Sequence, residues 1–565
     1  MIAELAERRA LTRAQWGRWK PTTLSDHFDA CAGKWPDSPF MITDETLTTY
    51  QQLVDRSWRI AGAAARAGIK PDDRLAIIMG NSADFVAAKV AASRLGAIAV
   101  PVNYLLSPPE LGVVLASAKP RLVMAYGQVG PADVVSLLEK VGLPDADNPD
   151  KPTLVLGKSA EIPPGALALE GWLNAGGGVD RAPLSGSDAP EEPIAEILYT
   201  SGSTGVAKGV ALKHHALLRE GYTSALARAL APGWRTLTSL PTFHLFGWVQ
   251  AVLPTTFVGG AVIVREQFDP AEELALVSKL GVQDIVCVPA MLHRLVDLAE
   301  ASHPALDSLQ AIFAAGDPVP AELWQRSRKA LGVQEITNGY GMTEVSGAPF
   351  ILPIDATDEQ LAVSVGRFKR PGDRGIPDED VTQREFRIVD PATMRPVEVG
   401  EVGEIQYRGS SMFAGYWENE AETQRVYTDD GWFRSGDMGK LRPDDMLVLT
   451  GRIKELYRTG GELVSPSEVE SVIAGLEGVS AVYVVGVPDP RWGEIGWAFV
   501  VPTPGSPLTP EDVVEFCRER LAKYKVPRRV RLLDIDAVPK NASGKVQKAS
   551  LVTLAQHLEE KGEAQ

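Results

Sequence analysis

Short runs of consecutive apolar residues alternate, through most of this chain, with longer stretches where apolar and polar positions mix at helical spacing. Leu75-Ala76-Ile77-Ile78-Met79 reads as a strand buried on both faces, and 82–94 as the helix that follows it. Ala261-Val262-Ile263-Val264 and Asp284-Ile285-Val286-Cys287-Val288 repeat the unit, the second leading into a helical 291–298. Ala311-Ile312-Phe313-Ala314-Ala315 then runs into the turn signal Gly316-Asp317-Pro318. Alternation of this kind predicts an α/β fold of largely parallel sheets flanked by helices. In such sheets ligands collect on loops beyond the strand ends.

The pattern changes twice. A polar, Gly/Pro-rich stretch at 174–193 reads as a surface connection. After Gly451-Arg452-Ile453-Lys454 the chain acquires its own strands (481–487, 497–501) and helices (467–474, 510–521), enough for a small α+β domain. The expected division is a large domain at 1–453 and a small one at 454–565, with a hinge at Lys454. A chain of 565 residues is long enough for such a division.

Charge and composition narrow the chemistry. Lys and Arg number 57 against 73 Asp and Glu, a formal charge of −16, which argues against a general nucleic-acid binder. Cys31, Cys287 and Cys517 lie far apart with no CxxC pair, so neither a disulfide framework nor a structural zinc site is expected, and a reducing, cytoplasmic setting fits. The segment Met1-Ile2-Ala3-Glu4-Leu5-Ala6-Glu7-Arg8-Arg9 carries both signs of charge and lacks the apolar core of a signal peptide. The most apolar stretch, 251–264, contains Pro254 and Gly259-Gly260 and is too short to span a bilayer.

The strongest chemical signal is Tyr199-Thr200-Ser201-Gly202-Ser203-Thr204-Gly205-Val206-Ala207-Lys208-Gly209, directly after the apolar Ile197-Leu198. Glycines let the backbone turn and present N–H groups, hydroxyls add donors, and Lys208 adds a cation. The string is not a Walker A loop. Read as chemistry alone, it serves equally as a polyphosphate cradle or as a flexible connection.

This string resembles the phosphate-loop signature YTSGTTGxPKG of the adenylate-forming superfamily: acyl-CoA synthetases, peptide-synthetase adenylation domains and beetle luciferases. Ser203 and Ala207 are its departures. Six further elements follow in the family's order. Pro241-Thr242-Phe243-His244 is similar to PxFH beside the acyl pocket. Asn338-Gly339-Tyr340-Gly341-Met342-Thr343-Glu344 resembles the adenine and metal motif. Gly403-Glu404-Ile405 with Arg408-Gly409 resembles GEIxxRG, and Gly431-Trp432-Phe433-Arg434-Ser435-Gly436-Asp437 the ribose motif. Gly451-Arg452-Ile453-Lys454-Glu455 looks like the hinge, and Pro539-Lys540-Asn541-Ala542-Ser543-Gly544-Lys545 like the catalytic-lysine motif. The resemblance runs from about Leu24 to Lys548.

The resemblance implies an ATP-dependent carboxylic acid–CoA ligase of the acyl-CoA synthetase branch, using ATP, Mg²⁺ and CoA, with a small, mobile C-terminal domain. It implies that Ser201, Gly202, Ser203, Thr204, Gly205 and Lys208 hold phosphates. Asn338, Gly339, Tyr340, Gly341, Met342 and Thr343, with the backbone at Gly316, would enclose adenine. Glu344 would ligate Mg²⁺, with Thr200 as a second ligand, since carboxylates and hydroxyls are hard oxygen donors. Asp437 would accept from both ribose hydroxyls, Arg452 would hold the ribose or α-phosphate, and Lys545 would stabilise charge shifting between carboxylate and α-phosphate. His244 would gate or line the acid pocket with Phe246, Trp248 and Gly339. Rotation about Lys454 would alternately present Lys545 and the Gly460-Gly461 loop, the latter along the thiol tunnel. Aromatics in the pocket point to a medium-chain, branched or aryl acid rather than a very long one.

Departures and rivals qualify the expectation. The stretch 367–385 is longer and more charged than the family's Pro-Gly turn, and Asp317 replaces a small apolar residue. An amino-acid-activating adenylation domain fits poorly, because Phe243-His244-Leu245-Phe246 stands where an FDxS aspartate is expected and no carrier-protein serine motif follows Lys545. A luciferase shares every nucleotide motif and is disfavoured only by rarity. An acyl-AMP ligase loading a separate carrier protein remains an alternative. A non-catalytic nucleotide-binding regulator would be expected to lose Lys545 or Glu344.

Overall fold

The computed structural model describes residues 2–16, 20–145, 152–175, 193–200, 207–317, 319–370, 376, 384–459, 462–540 and 546–561. The α/β alternation read from the sequence is present almost element for element. The strand expected at 75–79 is Arg74–Ile78, and the helix behind it is Ala83–Arg94, opened by Ser82, whose hydroxyl accepts from the Phe85 N–H at 3.2 Å. Strands Ala261–Val264, Asp284–Cys287 and Ala311–Ala314 and helix Pro289–Ser302 follow as expected.

Two sheets organise the larger of two compact units, which comprises Met1–Ala362, Gly366–Glu385 and Arg408–Thr428. One runs Glu335–Thr337, Ala311–Ala314, Asp284–Cys287, Arg235–Thr238, Ala261–Val264, Pro39–Ile42, Leu47–Thr49, parallel except for its last pair. The other runs Gly415–Tyr416, Lys208–Lys213, Ile194–Thr200, Ile98–Pro101, Arg74–Ile78, Leu122–Tyr126, Thr153–Gly157, Leu167–Ala168. It is parallel from Ile194–Thr200 onward and antiparallel on the side of Lys208–Lys213. Burial on both faces explains why these strands read as unbroken apolar runs. A small antiparallel sheet of Gly339–Met342, Gly347–Ile351 and Arg367–Phe368 departs from the sequence expectation, because its strands are short and interrupted by glycines and Pro349.

The second unit comprises Val363–Val365, Phe386–Tyr407 and Asp429–Gln565. Apart from Arg384, Glu385, Arg408 and Gly409, which fall in the larger unit, it holds an antiparallel sheet of Arg384–Val389, Gly403–Gly409, Phe433–Leu441 and Leu447–Arg452, and it holds a mainly antiparallel sheet built on the long pair Val479–Asp489 and Gly493–Pro502. Helices Pro466–Ile473, Pro510–Arg520 and Lys548–Glu560 accompany them, which is the α+β layout expected. Gly486 faces Gly496 across the long pair, and a Cβ on either would run into the Tyr457 side chain. The strands of 433–452 group with the C-terminal segment here, whereas the motif spacing puts the domain boundary at Lys454. The connection expected at 174–193 lies mostly outside the described residues. Among the described residues no helix is long and apolar enough to cross a membrane.

The larger unit buries charge as well as apolar surface. Lys89 and Glu196 are both almost fully enclosed, 2.5 Å apart, and the Lys89 ammonium stands 3.6 Å from the centroid of the buried Trp248 ring. Burial brings the Lys89 ammonium down to about 8 although Glu196 pulls the other way. Removing one partner of such a pair strands the other charge in low dielectric. Lys89→Met is therefore expected to cost about 3–5 kcal/mol, with most of it recovered in Lys89→Met/Glu196→Leu. Urea unfolding of both variants, followed by tryptophan fluorescence, checks this.

Candidate active site

Every motif of the larger unit sits at an edge or end of its sheets. The phosphate-loop string spans a hairpin whose stems are antiparallel: Thr200 pairs with Lys208, Tyr199 with Gly209 and Leu198 with Val210. Ser201, Gly202, Ser203, Thr204 and Gly205 themselves lie outside the described residues. Thr200 and Lys208 thus face each other across the mouth of the loop. Gly209 has no room for a side chain, since a Cβ would lie 2.8 Å from the Ile197 side chain.

The strand carrying Lys208 pairs on its other side with Gly415–Tyr416, Val210 opposite Tyr416. That pairing brings two distant motifs onto one tyrosine. Lys208 forms an ion pair with Glu422 and stands 5.3 Å from the centroid of the Tyr416 ring. The Tyr416 hydroxyl donates to Glu344 Oε1 at 2.9 Å, and the Phe413 N–H donates to the Glu344 carbonyl at 2.9 Å. Phe413 in turn packs edge-on against Tyr416 and stacks with Tyr427. Burial first, then the Glu344 charge, pushes the phenols of Tyr416 and Tyr427 upward, the latter to about 12, so the Tyr416 hydroxyl keeps the proton it donates. Tyr416, Glu422, Phe413 and Tyr427 were missed by sequence reasoning. They lie some 70 to 80 residues from Glu344, and only strand pairing joins them to it.

Glu344 sits in the short 3-10 turn Thr343–Val345 between strands Gly339–Met342 and Gly347–Ile351, so the adenine motif is a hairpin with the carboxylate at its bend. Tyr340 lies 6.3 Å from Phe350 across that hairpin, ring centroid to centroid. Gly316, expected to help enclose adenine, follows strand Ala311–Ala314 with φ +108, a backbone conformation that suits glycine. Asn338 is nearly buried and its carbonyl accepts from the Leu352 N–H at 2.9 Å. Glu344 offers one hard carboxylate beside the hairpin mouth. Among the described residues there is no cluster of three or more His, Cys, Asp or Glu side chains able to hold a metal. A single carboxylate completed by phosphate and water oxygens is the habit of Mg²⁺, so the donors fit that ion.

The PxFH turn is stapled by Asn81, whose Oδ1 accepts from the Thr242 N–H and hydroxyl at 2.8 and 2.9 Å and whose amide donates to the Leu240 and Arg265 carbonyls. His244 is exposed at the end of this turn. A π-helix, Gly247–Val252, follows at once, a wide turn often found at functional sites. Phe246 packs edge-on against Phe313, and a Cβ on Gly339 would lie 3.3 Å from the same Phe313 ring. Phe246 and Gly339 are thereby brought to one aromatic wall. Trp248 is enclosed behind them with Lys89 over its face.

The second unit presents the ribose motif. Asp437 and Arg452 are opposite residues of strands Phe433–Leu441 and Leu447–Arg452, and Arg452 Nε lies 2.7 Å from Asp437 Oδ1. Asp437 is 4% exposed while the Arg452 side chain is about half exposed, so the carboxylate is fixed from beneath and the cation reaches outward. Buried Glu404 of the short GEI element accepts from the Gly436 N–H at 3.3 Å and from Arg434 at 3.1 Å. That gives the element a physical task, holding the turn before Asp437. Lys454 is exposed in the turn after Arg452. Gly460, Gly461 and Lys545 lie outside the described residues. The ends of the lysine loop are clasped by a bridge between Lys540 and Val546 and by the Gln547 N–H donating to the Pro539 carbonyl at 2.9 Å.

The hairpin around Glu344 tolerates no extra atom. A Cβ on Gly341 would fall 1.7 Å from the Gly347 carbonyl oxygen, backbone that cannot swing aside. Gly341→Ala is expected to spread the hairpin, displace Glu344 and lower stability by about 1–3 kcal/mol, as overpacking does. Thermal melting together with ATP binding by calorimetry checks it, with loss in both.

The large-domain model of the AMP-binding enzymes matches residues 28–417, and the AMP-binding enzyme C-terminal domain matches residues 468–545. The chain is 33% identical over 515 residues to a feruloyl-CoA synthase of an Amycolatopsis species, covering 90% of this chain and 94% of that one. It is 29% identical to the 3-[(3aS,4S,7aS)-7a-methyl-1,5-dioxo-octahydro-1H-inden-4-yl]propanoyl:CoA ligase of Mycobacterium tuberculosis H37Rv, covering 94% and 98%. The fold is similar to ATP-bound MatB from Rhodopseudomonas palustris, with a TM-score of 0.80, 26% identity and coverage of 95% and 100%. The chain therefore belongs to the AMP-binding enzymes, the adenylate-forming superfamily in its acyl-CoA synthetase branch, and is an ATP-dependent enzyme that activates an acid as its acyl-adenylate.

Proposed function

We propose that the enzyme is a carboxylic acid–CoA ligase acting on an aryl, ring-bearing or medium-chain acid. One observation carries this reading: the relatives it matches over more than nine-tenths of their length include, beside a long-chain-fatty-acid–CoA ligase, a feruloyl-CoA synthase and a bicyclic propanoyl:CoA ligase, both at higher coverage than that ligase. The aromatic wall of Phe246 and Phe313 suits a flat or compact acyl group.

In the first half-reaction a carboxylate oxygen attacks the α-phosphorus of ATP. The bond from that phosphorus to the bridging oxygen breaks, and pyrophosphate leaves. Lys208 and the hydroxyl-rich hairpin tip would hold the phosphates, Asp437 the ribose hydroxyls, and Arg452 the ribose or α-phosphate. Tyr340 and Gly316 would enclose adenine. Glu344, oriented by the Tyr416 hydroxyl, would hold Mg²⁺ with Thr200, an ion that neutralises phosphate charge when bound. Lys545 would donate to the oxygens between which charge shifts. In the second half-reaction the CoA thiolate attacks the acyl carbon and AMP departs with the bonding pair. The Gly460-Gly461 turn would line the thiol path and Lys454 would serve as the hinge of a small domain beginning there. His244, exposed at its turn, would border the acid.

AMP release measured over a panel of aryl, branched and fatty acids, with and without CoA, tests the reading. Strong dependence on CoA with at least one ring-bearing acid is expected. Adenylation of such acids without thioester formation from CoA would sink it in favour of carrier-protein loading.

Two substitutions test the roles. Lys545→Ala is expected to slow acyl-AMP formation roughly 100- to 1,000-fold while sparing thioester formation from supplied acyl-AMP. Pyrophosphate release and thioester formation, measured separately, decide this. Asp437→Ala is expected to weaken ATP binding by about 1.5–3 kcal/mol per lost charged hydrogen bond. It should also erase the preference for ATP over 2′-deoxy-ATP in competition binding, which a ribose-independent Asp437 would leave intact.

A further inference from the structure

The charged stretch at 367–385, which sets this chain apart from the family pattern, is tied into the core at both ends by one carboxylate. Glu220 lies in helix His214–Ala227, which begins directly after the strand bearing Lys208, and it is fully buried. Its Oε1 accepts from Lys369 Nζ at 2.6 Å, from Gln250 Nε2 at 2.9 Å and from the Ala348 N–H at 3.0 Å. Its Oε2 accepts from Arg384 Nη2 at 2.5 Å. Burial pushes the Glu220 carboxyl up, yet Lys369 and Arg384 outweigh it and hold the group at about 2.

These partners belong to different parts of the site. Gln250 is in the π-helix behind the acid-pocket turn, and Ala348 is in the strand leaving the Glu344 bend. Glycine is required at 347 because a Cβ there would lie 2.5 Å from the Glu220 side chain. Arg384 does one thing that Lys369 does not: its Nη1 donates to the Val345 carbonyl at 2.5 Å, one residue from Glu344. Lys369 instead gives its second bond to the Ser224 hydroxyl at 2.8 Å, within the helix of Glu220 itself.

We propose that Arg384, seated on Glu220, is a positioning residue for the Glu344 turn, so that the charged segment sets nucleotide affinity from outside the nucleotide contacts. The inference rests on the reading of Glu344 as part of the nucleotide–metal site. It assigns Lys369 and Arg384 different tasks although they share one carboxylate. Lys369 neutralises and anchors. Arg384, whose planar fork reaches two acceptors at once, also fixes the carbonyl next to the metal-binding carboxylate.

The test is ATP binding by calorimetry, with Mg²⁺ and without it, on the full chain and without any acid, beside thermal melting. Arg384→Met is expected to weaken MgATP binding about tenfold, and Lys369→Met less than about twofold, while both lower the melting temperature. Arg384→Lys keeps the charge against Glu220 but loses the fork. It is expected to melt near the parent and still lose most of the affinity that Arg384→Met loses, with the deficit confined to the Mg²⁺-dependent part. Parent-like affinity in Arg384→Lys, or equal losses in Arg384→Met and Lys369→Met, would overturn the positioning role. A parent chain that does not bind MgATP would instead remove the nucleotide reading, and this inference with it.

Discussion

Between Thr200 and Lys208 the chain reverses direction while both ends stay locked in one sheet, and much of the larger unit's site follows from that constraint. The strand before the turn is held parallel to Ile98–Pro101 and the strand after it antiparallel, so the seam between the two pairing modes falls at the phosphate-loop hairpin. Parallel strands need helical crossovers, whereas an antiparallel pair can close with a short turn. The sheet thus changes mode at the hydroxyl-rich segment between Thr200 and Lys208. Because Lys208–Lys213 then pairs with Gly415–Tyr416, the same seam delivers Tyr416 to Glu344 and Glu422 to Lys208.

Around that seam the protein buries charge in places where a compact core would ordinarily hold hydrocarbon. Glu196 stands on the strand that enters the phosphate-loop hairpin and pairs with Lys89, and Glu220 stands on the helix that follows it and pairs with Lys369 and Arg384. Burying paired ions gains little net stability, because desolvation cancels most of the Coulombic attraction. Their geometry is directional, however, and a carboxylate that accepts from Lys369, Gln250, Ala348 and Arg384 ties four segments to its own helix. A site that includes a short 3-10 bend and a π-helix lacks the rigidity of long regular elements. Directional contacts from beneath supply it.

The second unit uses the same device on a smaller scale. Glu404 holds the Gly436 turn and Arg452 holds Asp437, so the carboxylate proposed to accept from the ribose hydroxyls is fixed before any ligand arrives. Preorganisation of this kind avoids paying conformational entropy at the moment of binding.

What the sequence determined by itself was local. Apolar runs such as Ala261–Val264 and Ala311–Ala314 were legible because strands covered on both faces are built mainly of apolar residues. The candidate residues Thr200, Lys208, Glu344 and Asp437 could be named from the sequence because phosphate, metal and ribose each demand particular polar groups at short spacings, and their roles stand as proposals. What only the tertiary structure decided was which distant residues support them. Glu220 reads in the sequence as one more helix carboxylate, Arg384 as part of a solvated charge run, and Tyr416 as an aromatic without a motif. Charge in a sequence ordinarily signals surface, and nothing in local spacing says that a helix will be buried on every face. The partners of these groups come from strand pairing and sheet packing across tens to hundreds of residues, a relation that exists only once the chain has closed on itself.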